Sequence, residues 1–331
     1  MKKVLVTGGS GFIGIHLIER LKSLNYMVLN IDIKPPIDKR NLELWCNTSV
    51  IDSVRFKKIV LDFAPEYIVH LSAVTTQNSK SLEDFQVNIE GTKNLINIAN
   101  ELTSLKKIVF TSTQYVNSPG HPLSDNSSKL LPYGFYGKSK LMGEEQVRKD
   151  YINNNWIIIR PTTIWGPWHT ILAKGLWRQI LKRRYFHPSG DTAIKAYGYV
   201  KNTAWQIVKL LEEENELTDE QIFYLADDNL SQKKWVESFV SRLTGRHLLQ
   251  VPKIFLFILS EFGEILVKFG FSFPLYRSRY RNLITSNPSP LDKTLKILGP
   301  SPVNLEDAIE ETCNWLYEMN LINNLENNAI I

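Results

Sequence analysis

Residues 2–14 read "KKVLVTGGSGFIG": an apolar, β-branched run, glycines spaced three apart at Gly8, Gly11 and Gly14, then an apolar-periodic segment reaching about Leu24. That order is strand, tight turn, helix. The chain repeats it. "MVLNID" (27–32), "APEYIVHLSA" (64–73), "KKIVFTST" (106–113) and "WIIIRPT" (156–162) are short apolar runs. Between them lie the helical patterns "FQVNIEGTKNLINIANEL" (85–102) and "SKLMGEEQVRKDY" (139–151). Strands that alternate with helices, and are apolar almost throughout, predict a parallel sheet covered on both faces. Residues 1–165 therefore read as a doubly wound α/β unit.

Beyond residue 165 the alternation loosens. "TAWQIVKLLEEE" (203–214), "SQKKWVESFVSRLTG" (231–245) and "LEDAIEETCNWLYEM" (305–319) read as helices, the second with a glycine stop, and "QIFYLAD" (221–227) as a late strand. Residues 166–331 are expected to form a smaller mixed lobe, with some segments returning to the first unit and no flexible linker. The tail 323–331, "NNLENNAII", is compositionally biased.

Composition excludes several classes. A net charge of +5 over 331 residues argues against a dedicated nucleic-acid binder and suits an anionic small substrate. Two cysteines, Cys46 and Cys313, offer neither a disulfide framework nor a thiolate metal cluster, so a reducing cytoplasmic location and no metal site are expected. The most apolar stretch, residues 254–273, is broken by Glu261, Glu264 and Lys268. It falls short of a spanning helix and reads as a buried or amphipathic one, with a membrane-surface placement as the lesser alternative.

The spacing G-x-x-G-x-x-G at a strand-to-helix turn has a physical demand behind it. The turn is sharp, the backbone approaches a pyrophosphate closely, and the helix start offers N–H groups and a positive dipole end. Asp32 ends the next strand, 18 residues after Gly14, where a carboxylate accepts hydrogen bonds from an adenosine ribose and repels a 2′-phosphate. NAD is thus favoured over NADP, although Lys34, Lys39 and Arg40 follow. Tyr136 and Lys140 in "YGKSK" are four apart and share one helix face. Tyr133 has Gly137 at the equivalent place and no such partner.

With "TGGSGFIG" (7–14), "HLSA" (70–73), "NIEGTKNLI" (88–96), "FTSTQYV" (110–116), "YGKSK" (136–140) and "RPTTIWGP" (160–167) in order, the chain resembles the extended short-chain dehydrogenase/reductase superfamily. Within it, the resemblance is to the NAD-dependent epimerase/dehydratase family acting on nucleotide sugars. That resemblance implies a Rossmann fold, Thr113, Tyr136 and Lys140 as catalytic residues, and Gln114 and Arg277 among those near the substrate. It implies cofactor contacts at Phe12, Ile13, Leu71, Ser72, Ala73 and Pro161 besides the glycines and Asp32, and a homodimer paired through the helices containing 85–102 and Tyr136. A lysine ammonium about 4 Å from a phenol at an effective dielectric of roughly 20 favours the phenolate by up to ~4 kcal/mol, drawing the tyrosine toward neutral pH. His70 reads as a packed histidine, and Arg160 either closes the nicotinamide side or is an internal structural residue. The family's dehydratases carry Asp and Glu where this chain has Gln114 and Tyr115 respectively, so elimination of water lacks its acids. Ser49 replaces an Asp at the adenine, with Asp52 retained three residues on, and Asn202 replaces a late Asp, as in sterol-dehydrogenase-like relatives. The expected activity is epimerisation of a nucleotide sugar through a transient keto-sugar, serving surface polysaccharide synthesis. The alternative is a net NAD(P)-dependent oxidoreductase acting on a nucleotide-ketosugar or a 3β-hydroxysteroid.

Overall fold

Val4, Leu5 and Val6 are fully buried, and their strand β1 (Lys3–Thr7) lies inside a seven-stranded sheet in this computed structural model, which describes residues 1–76, 79, 81–121, 130–190, 193–213 and 215–319. The tail 323–331 lies outside the described residues. On one side of β1 come β2 (Met27–Asp32) and then β3 (Trp45–Asn47). On the other come β4 (Tyr67–His70), β5 (Lys107–Thr111), β6 (Trp156–Pro161) and finally the late strand Gln221–Leu225. All these pairings are parallel. The strand order reverses between β1 and β4, and a doubly wound sheet opens its ligand crevice beyond the carboxyl ends of such strands.

Alternate side chains of each strand feed two cores. Val4, Val6, Val69 and Ile157 pack with Leu17 and Ile18 of α1 (Phe12–Ser23) and Ile207 of the helix Val200–Glu212. Leu5, Ile68, Ile108 and Ile158 pack with Phe56 of α2 (Ser53–Phe63), Leu95 of α3 (Gln86–Ala99) and Val147 of α4 (Gly134–Asp150). Each such side chain contributes about 1.5–3 kcal/mol by leaving water. The buried Lys107 is satisfied at a helix end: its Nζ donates to the Glu213 carbonyl and to Thr218 Oγ1, both at 2.8 Å. A cation belongs there because the carboxyl end of a helix is negative.

The chain divides into two compact units. One comprises Met1–Ile164, Val200–Asp227 and Ser289–Ser301; the other comprises Trp165–Tyr199, Asp228–Pro288 and the described residues from Pro302 onward. The second unit has an aromatic core, in which Trp165 lies 5.8 Å from Trp235 and 5.4 Å from Phe239 by ring centroids. In it Ile194–Tyr199 pairs antiparallel with Asp228–Ser231. Helix Gln232–Thr244 ends at Gly245, whose φ of 64° is the left-handed cap that the glycine stop requires. Among the described residues no helix is long and apolar enough to cross a membrane.

Candidate functional site

The glycine turn brings two backbone loops into contact. Gly8 has φ +73°, and a Cβ on it would stand 2.6 Å from the Ser72 amide nitrogen. A Cβ on Gly14 would stand 2.6 Å from the Gly8 carbonyl oxygen, so no side chain fits where α1 meets β1. α1 opens at Gly11 with no capping side chain and no acid in its first turn, leaving its positive end to an outside anion. Leu71, Ser72 and Ala73 follow β4 directly and are half-buried. Thr7 holds them: its Oγ1 accepts the Ser72 N–H at 3.3 Å and lies 2.7 Å from His70 Nδ1. His70 is fully buried and pushed down to about 3, by burial first and the Lys140 charge second, so it is a neutral packing residue.

Asp32 sits at the end of β2 with both oxygens engaged by backbone, accepting from Ser10 N–H at 3.1 Å and Lys34 N–H at 2.9 Å. These bonds fix the carboxylate beside the glycine turn. Arg40 is held by Asp38, whose Oδ2 accepts its Nε–H at 2.9 Å. Asp52 serves a different purpose from adenine contact: it caps α2, accepting Arg55 N–H at 3.1 Å.

Tyr136 and Lys140 stand one turn apart on α4, and Thr113 comes from the loop after β5. Thr113 stands by the Tyr136 hydroxyl and lowers its pKa, while its Oγ1 accepts Tyr115 N–H at 3.3 Å. Gly137 makes this approach possible, because any Cβ there would overlap the Tyr115 carbonyl oxygen. The glycine that denied Tyr133 a helical partner thus lets the Thr113 turn lie on α4. Tyr133 itself is exposed, its ring 5.6 Å from that of Tyr115. Asn88, fully buried on α3, accepts Val74 N–H at 2.7 Å and donates to Ser139 Oγ at 3.0 Å, tying the β4 loop to α4.

Burial reverses the electrostatic expectation for the free chain. It pushes the Tyr136 phenol up to about 12, only partly offset by Thr113, and it pushes the Lys140 ammonium down to about 8, opposed by Glu144. The tyrosine therefore does not stand near neutral pH: the same desolvation penalises phenolate and ammonium. No described residue accepts a hydrogen bond from Lys140, leaving a buried cation for a ligand oxygen. Lys140 is charged below about pH 8 and loses its proton as pH rises through that value. We expect kcat/KM to fall above about pH 8, and Glu144→Gln to move that fall to lower pH by removing the carboxylate that supports the ammonium. A pH profile of both proteins checks this.

Arg160 is an internal residue. Fully buried, it donates Nε–H to Glu144 Oε1 at 2.8 Å, Nη2 to Oε2 at 2.7 Å and Nη1 to Tyr224 Oη at 2.9 Å. Sequence reasoning passed over Glu144; its signal was the four-residue spacing from Lys140. Pro161, next to Arg160, is buried at the end of β6. Gln114 is buried in the turn after Thr113, and its Oε1 has no partner among the described residues. Arg277 lies in the second unit, its Nε–H donating to Glu261 Oε1 at 2.7 Å, so its guanidinium already has a carboxylate. Asn202 is buried in the first turn of the helix Val200–Glu212.

Known proteins resemble this chain in sequence and in fold. The sterol-4-alpha-carboxylate 3-dehydrogenase, decarboxylating, of Dictyostelium discoideum is 27% identical over 69% of this chain and 72% of its own length. The N-acetyl-alpha-D-glucosaminyl-diphospho-ditrans,octacis-undecaprenol 4-epimerase of Escherichia coli O157:H7 is 30% identical over 60% of each chain. Among solved structures, the Bacillus cereus UDP-glucuronic acid 4-epimerase superposes with a TM-score of 0.73 at 20% identity, covering 96% of this chain and 99% of that one. Residues 4–226 match the sequence profile of the "NAD dependent epimerase/dehydratase family". The glycine cradle and the unpartnered Lys140 fit the cofactor that this name specifies. The chain is an enzyme of the NAD-dependent epimerase/dehydratase family, within the extended short-chain dehydrogenase/reductases.

Proposed function

We propose that the chain epimerises a nucleotide sugar through a transient keto-sugar. The observation that supports this reading is Thr113 beside the Tyr136 hydroxyl, one helical turn from a Lys140 that donates to no described residue, next to a turn whose Gln114 and Tyr115 carry no acid. When bound, NAD would supply the hydride acceptance and return at the sugar carbon that epimerisation needs. Gly8, Gly11, Phe12, Ile13 and Gly14 cradle the pyrophosphate, Asp32 the adenosine ribose, and Leu71, Ser72, Ala73 and Pro161 border the cofactor. Tyr136 removes the sugar hydroxyl proton and gives it back, Thr113 orients that hydroxyl, and Lys140 binds the nicotinamide ribose and favours the phenolate. Gln114 and Tyr115 offer no carboxyl to protonate a leaving hydroxide, so elimination is not expected. We further infer a homodimer through α3 and α4, and a cytoplasmic location in keeping with two free cysteines.

A second reading, net oxidation of a hydroxyl on a steroid or the reverse on a nucleotide-ketosugar, rests on Asn202 and on the sterol-dehydrogenase relative. A panel of nucleotide sugars, with sugar identity and NADH absorbance followed together, separates the two. Interconversion of two epimers without net NADH is expected. Stoichiometric NADH with a ketone product, and no epimer from any sugar, would discard the epimerase reading.

A further inference from the structure

The helix Lys253–Lys268 turns the wrong face outward for a soluble surface helix. Only Leu256, Ser260 and Gly263 are buried, and they form one narrow stripe. Against it lies the returning chain: a Cβ on Gly263 would overlap the Leu275 carbonyl, and the Phe257 and Tyr280 rings meet at 5.8 Å. At about 100° per residue, Ile254, Phe255, Ile258, Phe262, Ile265 and Phe269 fall on a single arc away from that stripe. They are 53–76% exposed. Phe271, 64% exposed, continues the arc past a turn at Gly270, where φ is +83°. A soluble monomer rarely shows so continuous an apolar strip, and it marks a partner.

The charges around the strip choose that partner. Residues 252–285 contain five cations, Lys253, Lys268, Arg277, Arg279 and Arg281, and two acids, Glu261 and Glu264. The Arg277 side chain pairs Glu261, and Glu264 accepts its backbone N–H at 3.3 Å, so the cations outnumber the acids by three. What faces outward is an apolar, phenylalanine-rich arc flanked by positive charge. A second copy docking on the same face would set like charges against one another.

We propose that this helix and the turn after it are an interfacial anchor that lies in the surface of an anionic phospholipid bilayer. The apolar arc sinks to the level of the upper acyl chains, and the lysines and arginines remain among the phosphates. The helix lies on the membrane and does not span it.

The test uses the full chain in flotation with vesicles of phosphatidylcholine and phosphatidylglycerol in equal parts, and with phosphatidylcholine alone. The wild-type chain is expected to float with the mixed vesicles, and less with neutral ones or in high salt. Ile258→Glu/Phe262→Glu is expected to weaken binding to mixed vesicles at least about tenfold. Phe269→Glu/Phe271→Glu supplies an independent pair in case the first misfolds; circular dichroism and bound NAD report folding in each. Failure of the wild type to float overturns the proposal, as does equal flotation of folded variants. So does a wild-type dimer that ignores vesicles and dissociates on either double substitution, which would make the face a contact between copies.

Discussion

Tyr136→Phe is expected to lower kcat by roughly a thousandfold, within the ~10²–10⁴ range of a positioned proton-transfer group, while NAD remains bound. The substitution removes one oxygen. The ring keeps its place near Phe85, 6.1 Å away by centroids, and Lys140 keeps its charge. The lost group is the hydroxyl beside Thr113, and a phenol pushed up to about 12 by burial must lose its proton, with Lys140 favouring the phenolate, before it can take one from the sugar hydroxyl. Turnover and the NAD content of the purified protein should be measured together. Full turnover with NAD bound would remove Tyr136 from the chemistry.

The second large effect is on stability. Arg160→Met should destabilise the first unit by about 3 kcal/mol, toward the lower end of the ~3–5 kcal/mol typical of a broken buried ion pair. It strands Glu144, whose side chain is only 2% exposed and whose carboxyl is held below the usual range by Arg160 against the opposing effect of burial. Arg148, donating to Glu144 Oε2 at 2.8 Å, remains and softens the loss. The double substitution Arg160→Met/Glu144→Met should recover much of it, because neither charge is then left buried. The sign of the pH dependence follows. A carboxyl depressed in the folded state contributes stability above its unfolded pKa, and that stability is lost as pH falls through the folded value. The wild-type margin over Arg160→Met should therefore shrink in acid. Urea denaturation of the three proteins at neutral and acid pH tests this, and equal midpoints would show that the pair does not stabilise the fold.

The sequence by itself determined what is local. The strand–glycine–helix start, the alternation through β6, the glycine stop at Gly245 and the shared face of Tyr136 and Lys140 are all set within a few residues, by φ limits and by periods of two and 3.6. The helix α2 escaped notice, since its apolar pattern "SVRFKKIVLDF" is thin. What only the tertiary structure decided depends on burial and on partners far along the chain. Arg277 could not be known to be held by Glu261, nor Arg160 by Glu144, because neither pair is visible until two elements pack. Periodicity gave residues 254–268 an apolar face but not its direction, since the same stripe serves a core or a membrane. The spacing Tyr136–Lys140 promised a lowered phenol pKa, whereas desolvation, which no spacing encodes, raised it. Geometry is written locally in this chain; dielectric environment is written by everything that folds around it.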